Sequence, residues 1–159
     1  MTQKGQRVPS STGAEVMVSG FNPYLALGWR DSSLCEAALT HSSWAHEWSC
    51  GSNERLEFLG DSVLDLLVST RLVERNPDWG PGQLSEARAR LVCRATLGER
   101  ARRLGLQHWI RLGVGAQRQG LASQPDVLGN ALEALLGAAY LDGGLGSAER
   151  MAVMMGVVP

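Results

Sequence analysis

The chain has 159 residues, a formal net charge of −1, and 44% hydrophobic and 19% charged side chains. That length suits one domain able to bury about two-thirds of its unfolded surface, and no apolar run reaches the ~18 residues that cross a bilayer. The three cysteines, Cys35, Cys50 and Cys93, contain no C-x-x-C pair, which argues against a disulfide framework or a zinc ribbon and leaves free thiols.

Residues 1–19 are rich in Gly, Ser, Thr and Gln and read as a flexible N-terminal arm. Their basic residues precede no apolar h-region, so no secretory signal is expected and the cytoplasm is the default location. Order begins near Phe21. The stretches NPYLALGW and SSLCEAAL predict two short helices around a polar turn, with Ser32 or Ser33 as a cap. Thr40–Cys50 reads as a turn or broken helix, and its His41, His46 and Cys50 match no zinc-ligand spacing.

Asn53–Arg75 predicts a long helix with Asn53 as its N-cap, ended by Asn76-Pro77 because proline keeps the residue before it out of helical geometry. Leu56, Leu59, Val63, Leu66 and Leu67 form its apolar side. Glu54, Glu57 and Asp61, at i, i+3 and i+7, share one face, so a helix that is mostly core would turn this acidic edge to a cleft or interface. WGPG at 79–82 is then a turn.

Gln83 to about Leu104 predicts a second long helix, with Leu84, Ala87, Leu91 and Ala95 inward and Gly105 as its stop. Between Glu86 and Arg118 stand eight arginines (Arg88, Arg90, Arg94, Arg100, Arg102, Arg103, Arg111 and Arg118) against two acids, Glu86 and Glu99. This run reads either as a basic contact surface or as solvated faces with local salt bridges. Gly113–Gln124 reads as a contact loop. Helical periodicity resumes over Asp126–Leu141, stops at Asp142-Gly143-Gly144, and returns in Gly146–Met155. No segment alternates with period two, so the class is all-α.

Glu133 sits inside the apolar run ALEALLGAAYL, where a carboxylate is costly unless paired or bound to a metal. Two helices that each present carboxylates can make an oxygen-only Mg²⁺ site. Such a site suits phosphodiester hydrolysis without a side-chain nucleophile, since the metal polarises a phosphoryl oxygen and acidifies water. The other reading of Glu57 and Asp61 is a solvated face of an amphipathic helix.

NERLEFLGDSVLDLLVS, from Asn53 to Ser69, resembles the signature of the ribonuclease III family almost letter for letter. LGW at 27–29, ALTHSSW at 38–44, QLSEARARLV at 83–92, LGVG at 112–115 and NALEALLGAAYLDGG at 130–144 resemble further pieces of that family in order. The resemblance covers about Phe21–Glu149 and implies an all-α endonuclease domain over residues 20–156, followed by a tail at 157–159. It further implies a homodimer that holds double-stranded RNA and cuts it to 5′-phosphate and 3′-hydroxyl ends.

Position by position, the resemblance makes Glu57, Asp61 and Glu133 metal ligands, with Asp61 and Glu133 catalytic and Mg²⁺ (or Mn²⁺) the cofactor. Glu54 then lines the cleavage centre and Phe58 the dimer contact, and Arg88, Arg90 and Arg94 are the nearest candidates for RNA contact. The sequence departs from the family pattern at Asn130, usually aspartate, at Pro81, usually acidic, and at Ser42, commonly arginine. An amide oxygen at Asn130 can still ligate but brings no charge. The usual double-stranded RNA-binding domain does not follow within the 159 residues, so the domain is expected to bind RNA through its own surface or with a partner. Two function classes stand: a Mg²⁺-dependent endoribonuclease, and a weakened or inactive fold that serves as an RNA-binding or dimerisation scaffold.

Overall fold

A computed structural model describes residues 20–159; the arm expected at 1–19 lies outside them. Within the described residues seven α-helices follow in order: α1 (Ser32–Ala38), α2 (Ser42–Trp48), α3 (Glu54–Arg75), α4 (Pro81–Val92), α5 (Arg94–Arg103), α6 (Val114–Arg118) and α7 (Pro125–Met154). Among the described residues there is no strand, only an isolated parallel bridge between Thr40 and Arg111, so the all-α expectation holds. No described helix is long and apolar enough to cross a membrane.

The core is built on α7. Leu128, Ala131, Leu132, Leu135, Leu136, Ala138 and Ala139 are fully buried along it, because α3 packs on one side and α5 and α1 on others. From α3 come Leu56, Val63, Leu64, Leu67, Val68 and Leu72, a stripe at helical spacing. Leu66, expected inward, is 53% exposed: Leu64 and Val68 take the inward positions on either side of it.

Both ends of α3 lie where the sequence puts them, but Asn53 does not cap it. Its side chain makes no cap bond; instead Asn53 Nδ2 donates to the Ala38 carbonyl (3.2 Å) and its backbone N–H to the Thr40 carbonyl (2.8 Å). Asn53 therefore ties the start of α3 to the end of α1.

The long helix expected from Gln83 to Leu104 is two. Cys93 is extended (φ −66°, ψ 149°), and Thr96 Oγ1 donates to the Arg90 carbonyl (2.9 Å), which gives that group a partner where the helical ladder ends. Pro81 starts α4, where a missing N–H costs nothing, while Gln83 Oε1 accepts the Gly80 N–H (3.0 Å). Ala95, expected inward, is exposed.

Asn22–Trp29 is a turn rather than a helix, closed by Trp29 Nε1 donating to the Pro23 carbonyl (2.9 Å). The cap of α1 is Asp31, whose carboxylate accepts the Ser33 N–H, not Ser32 or Ser33. Gly113–Gln124 holds α6 and a 3₁₀ turn at Leu121–Ser123, with Ala116 buried. The expected stop at Gly143-Gly144 is a non-helical break inside α7. Val157, in the segment read as a tail, is fully buried.

Candidate active site

Glu54, Glu57 and Asp61 follow one another along α3, and Asn130 and Glu133 lie one turn apart on α7. The two helices meet at Gly60 and Gly137, whose lack of side chains lets the backbones touch. That crossing brings both acidic edges to a single cavity of about 630 Å³, lined by all five residues together with Arg94, Cys93, His41 and Phe58. The sequence-predicted carboxylates from two helices thus converge.

Burial pushes the Glu133 carboxyl up to about 7, and the charges of Asp61 and Glu57 push in the same direction, partly offset by Arg94. Glu57 is also raised, first by burial and then by Glu54. The cavity therefore concentrates negative charge that water does not fully screen. Among the described residues, however, no three His, Cys, Asp or Glu side chains are gathered closely enough to enclose a metal by themselves. The donors form an open wall, in keeping with a hard cation that retains several waters.

The three candidate RNA-contacting arginines separate. Arg94 lines the cavity and faces Asp126 at 3.6 Å. Arg88 reaches back along α3 to Ser69 Oγ (3.1 Å) and Asp65 (4.0 Å). Arg90 pairs with Glu86 on its own helix. Arg102 and Arg103 share Glu99, and Arg111 is buried against Glu36. Six of the eight arginines in the run thus have an acidic neighbour, so local ion pairing accounts for most of it. Phe58 is 79% exposed at the cavity rim.

In the sequence His41 belongs only to an unmatched zinc-ligand spacing, and Cys93 reads as no more than a free thiol. Both line the cavity, Cys93 because of the unforeseen break between α4 and α5. His41 arrives through the bridge that seats it beside Arg111: the Arg111 N–H donates to the Leu39 carbonyl (2.8 Å) and the His41 N–H to the Arg111 carbonyl (3.1 Å). A tertiary bridge of this kind has no local sequence signal.

A model of the ribonuclease-III-like family matches residues 31–156. The chain belongs to the ribonuclease III family. Similar curated proteins include ribonuclease 3 of Symbiobacterium thermophilum, 48% identical over 128 residues, which covers 79% of this chain and 54% of that protein. Ribonuclease 3 of Caldanaerobacter subterraneus subsp. tengcongensis is 46% identical over 125 residues, covering 77% and 55%. This family member thus spans little more than half the length of those relatives. The nuclease domain of ribonuclease III from Campylobacter jejuni superposes with a TM-score of 0.76 at 36% identity, covering 84% of this chain and 90% of that one. A second structure of that domain, described for flexibility in a region involved in dimer formation, gives 0.75 at 37% identity and covers 80% and 87%. The ribonuclease III nuclease fold is therefore shared across nearly all the described residues.

Proposed function

We propose that this ribonuclease III-family chain is an endoribonuclease acting in cytoplasmic RNA processing. As a homodimer, it hydrolyses phosphodiester bonds of double-stranded RNA to 5′-phosphate and 3′-hydroxyl ends. The observation that carries the reading is the convergence of Glu57 and Asp61 from α3 with Asn130 and Glu133 from α7 on one cavity, with the Glu133 carboxyl held near 7 by burial and neighbouring charge.

An all-oxygen donor set under mutual repulsion fits Mg²⁺, or Mn²⁺ in its place, and these four residues would hold it. When bound, the ion supplies Lewis acidity for the scissile phosphate and the attacking water. Asp61 and Glu133 are the catalytic carboxylates of this reading. Glu133, whose carboxyl burial and neighbouring charge hold near 7, would have to be deprotonated to serve as a ligand. Glu54, exposed on the first turn of α3, faces the RNA strand, and Arg94 brings positive charge to the same wall for a phosphate. Phe58, exposed beside a shallow hollow with Glu54 and Arg55, is the apolar anchor for the second copy.

The second reading, a scaffold that holds RNA without cutting it, is favoured by one observation: the cavity carries Asn130 where the family pattern has a carboxylate. Incubating the protein with radiolabelled duplex RNA across Mg²⁺ concentrations, beside Glu133→Gln, separates the two. Cleavage by the parent and none by the variant is the expected result. Duplex binding without cleavage at any metal concentration would establish the scaffold. Parent-like cleavage by Glu133→Gln would overturn the site assignment.

A further inference from the structure

His41 and Glu54 come to the cavity from different elements and present opposite hydrogen-bonding character. His41 occupies the N-cap position of α2, where its Nδ1 accepts the Ser43 backbone N–H (3.1 Å). Ser43 Oγ lies 2.9 Å from the same nitrogen and itself accepts the Gly113 N–H (3.0 Å), so the hydroxyl proton is free to point at Nδ1. A backbone N–H can only donate. Nδ1 is therefore unprotonated, and the neutral ring carries its proton on Nε2. No described residue hydrogen-bonds Nε2. Burial lowers the pKa of the ring, opposed by Glu54, in keeping with a neutral donor.

Glu54 is set beside this donor by the Asn53 N–H on the Thr40 carbonyl (2.8 Å), one residue from His41. Its carboxylate accepts the Ser52 hydroxyl (2.8 Å) and keeps capacity for a further donor. Both residues line the cavity, and Glu54 lies close enough to act on the His41 ring electrostatically, so this part of the wall offers a neutral N–H and a carboxylate together. A phosphate would meet repulsion there, and a deoxyribose would offer neither partner. A ribose 2′-hydroxyl both accepts and donates, and A-form RNA displays these groups in its wide minor groove.

We propose that His41 and Glu54 together read a single 2′-hydroxyl of the bound strand, which accepts from His41 Nε2–H and donates to the Glu54 carboxylate. This rests on the duplex-RNA reading above and adds to it the residues that reject DNA at one nucleotide. A site built to bond a hydroxyl discriminates strongly against a substrate that lacks it, because its own polar groups are left unpaired.

The test walks a single 2′-deoxy substitution through a duplex RNA and measures cleavage and, in parallel, metal-free binding by the parent, His41→Asn and Glu54→Ala. Asparagine is a good N-cap, so it keeps the α2 cap while withdrawing the Nε2–H. The parent is expected to lose about 10-fold or more at one position. Both variants should lose that sensitivity and keep the parent's response elsewhere. Should His41→Asn fold poorly, Glu54→Ala, which leaves the α2 cap untouched, decides alone, and the full penalty retained in it overturns the proposal. A parent that acts on RNA but shows no sensitive position, or a His41→Asn protein with the full penalty, overturns the proposal alone. A parent that neither cuts nor binds any duplex RNA overturns the broader reading and this one with it.

Discussion

Gly60 on α3 and Gly137 on α7 face each other across the helix crossing with no side chain between them. A Cβ on Gly60 would stand 1.8 Å from the Glu133 carbonyl oxygen, and one on Gly137 would stand 2.2 Å from that of Leu56. Both clashes are with backbone, which cannot rotate away as a side chain would. The contact between backbones is also what brings Glu57 and Asp61 to the side of Glu133. Gly60→Ala should therefore force the helices apart, costing about 1–3 kcal/mol or more as overpacking does. Urea unfolding checks the stability and duplex cleavage the site; a parent-like midpoint would contradict the close crossing.

Much of this was readable from the chain. The acidic face of α3 follows from period 3.6 and the half-buried carboxylate of α7 from its place in an apolar run, and Asn76-Pro77 and Gly105 mark real ends, Gly105 with φ 75°. Tertiary terms decided the rest. Apolar spacing runs from Leu84 through Leu91 with no Gly or Pro near Cys93, so nothing local announces the break that exposes Cys93 and Arg94 to the cavity. The spacing over Asn22–Trp29 is helical, yet the Trp29 indole spends its N–H on Pro23 and folds the segment into a loop. His41 reads as an isolated histidine until Arg111, seventy residues later, places it.

The elevated Glu133 carboxyl makes the metal-free protein pH-sensitive. Its folded pKa of about 7 lies above the ordinary carboxylate value, so the folded state binds this proton more tightly than the unfolded chain. Stability from this group is complete at low pH and is lost as pH rises from the unfolded value through about 7. Glu133→Gln, which cannot ionise, should be more stable than the parent at pH 8 in chelator by about 1 kcal/mol, once the partial exposure of the group is allowed for. The gap should close towards pH 4. Thermal melts across pH measure it, and a constant difference between the two proteins would rule out this origin.

Asn130 supplies an amide oxygen where a carboxylate would add a charge. If it shares the proposed metal site with Glu57, Asp61 and Glu133, Asn130→Asp raises the attraction for Mg²⁺, and changes to supporting ligands typically move affinity or activity about 10–100-fold. The Mg²⁺ concentration giving half-maximal cleavage of duplex RNA should fall accordingly. An unchanged requirement would mean that Asn130 neither ligates the ion nor orients its waters.

Phe58 is a large apolar side chain left 79% exposed on a helix whose opposite face is core. Because it contributes little to the packing of its own chain, Phe58→Ala should leave the unfolding midpoint of an isolated protomer nearly unchanged. Burying a phenylalanine against a second copy contributes roughly 1.5–3 kcal/mol, and a two-fold interface buries two of them. If the protein is the homodimer proposed above and Phe58 its anchor, the dissociation constant of Phe58→Ala should then rise at least about 10-fold, read by sedimentation equilibrium. Since the same side chain borders the carboxylate cavity, cleavage should fall most at low protein concentration and recover as concentration restores the dimer. A loss of activity independent of concentration would place Phe58 in RNA contact instead.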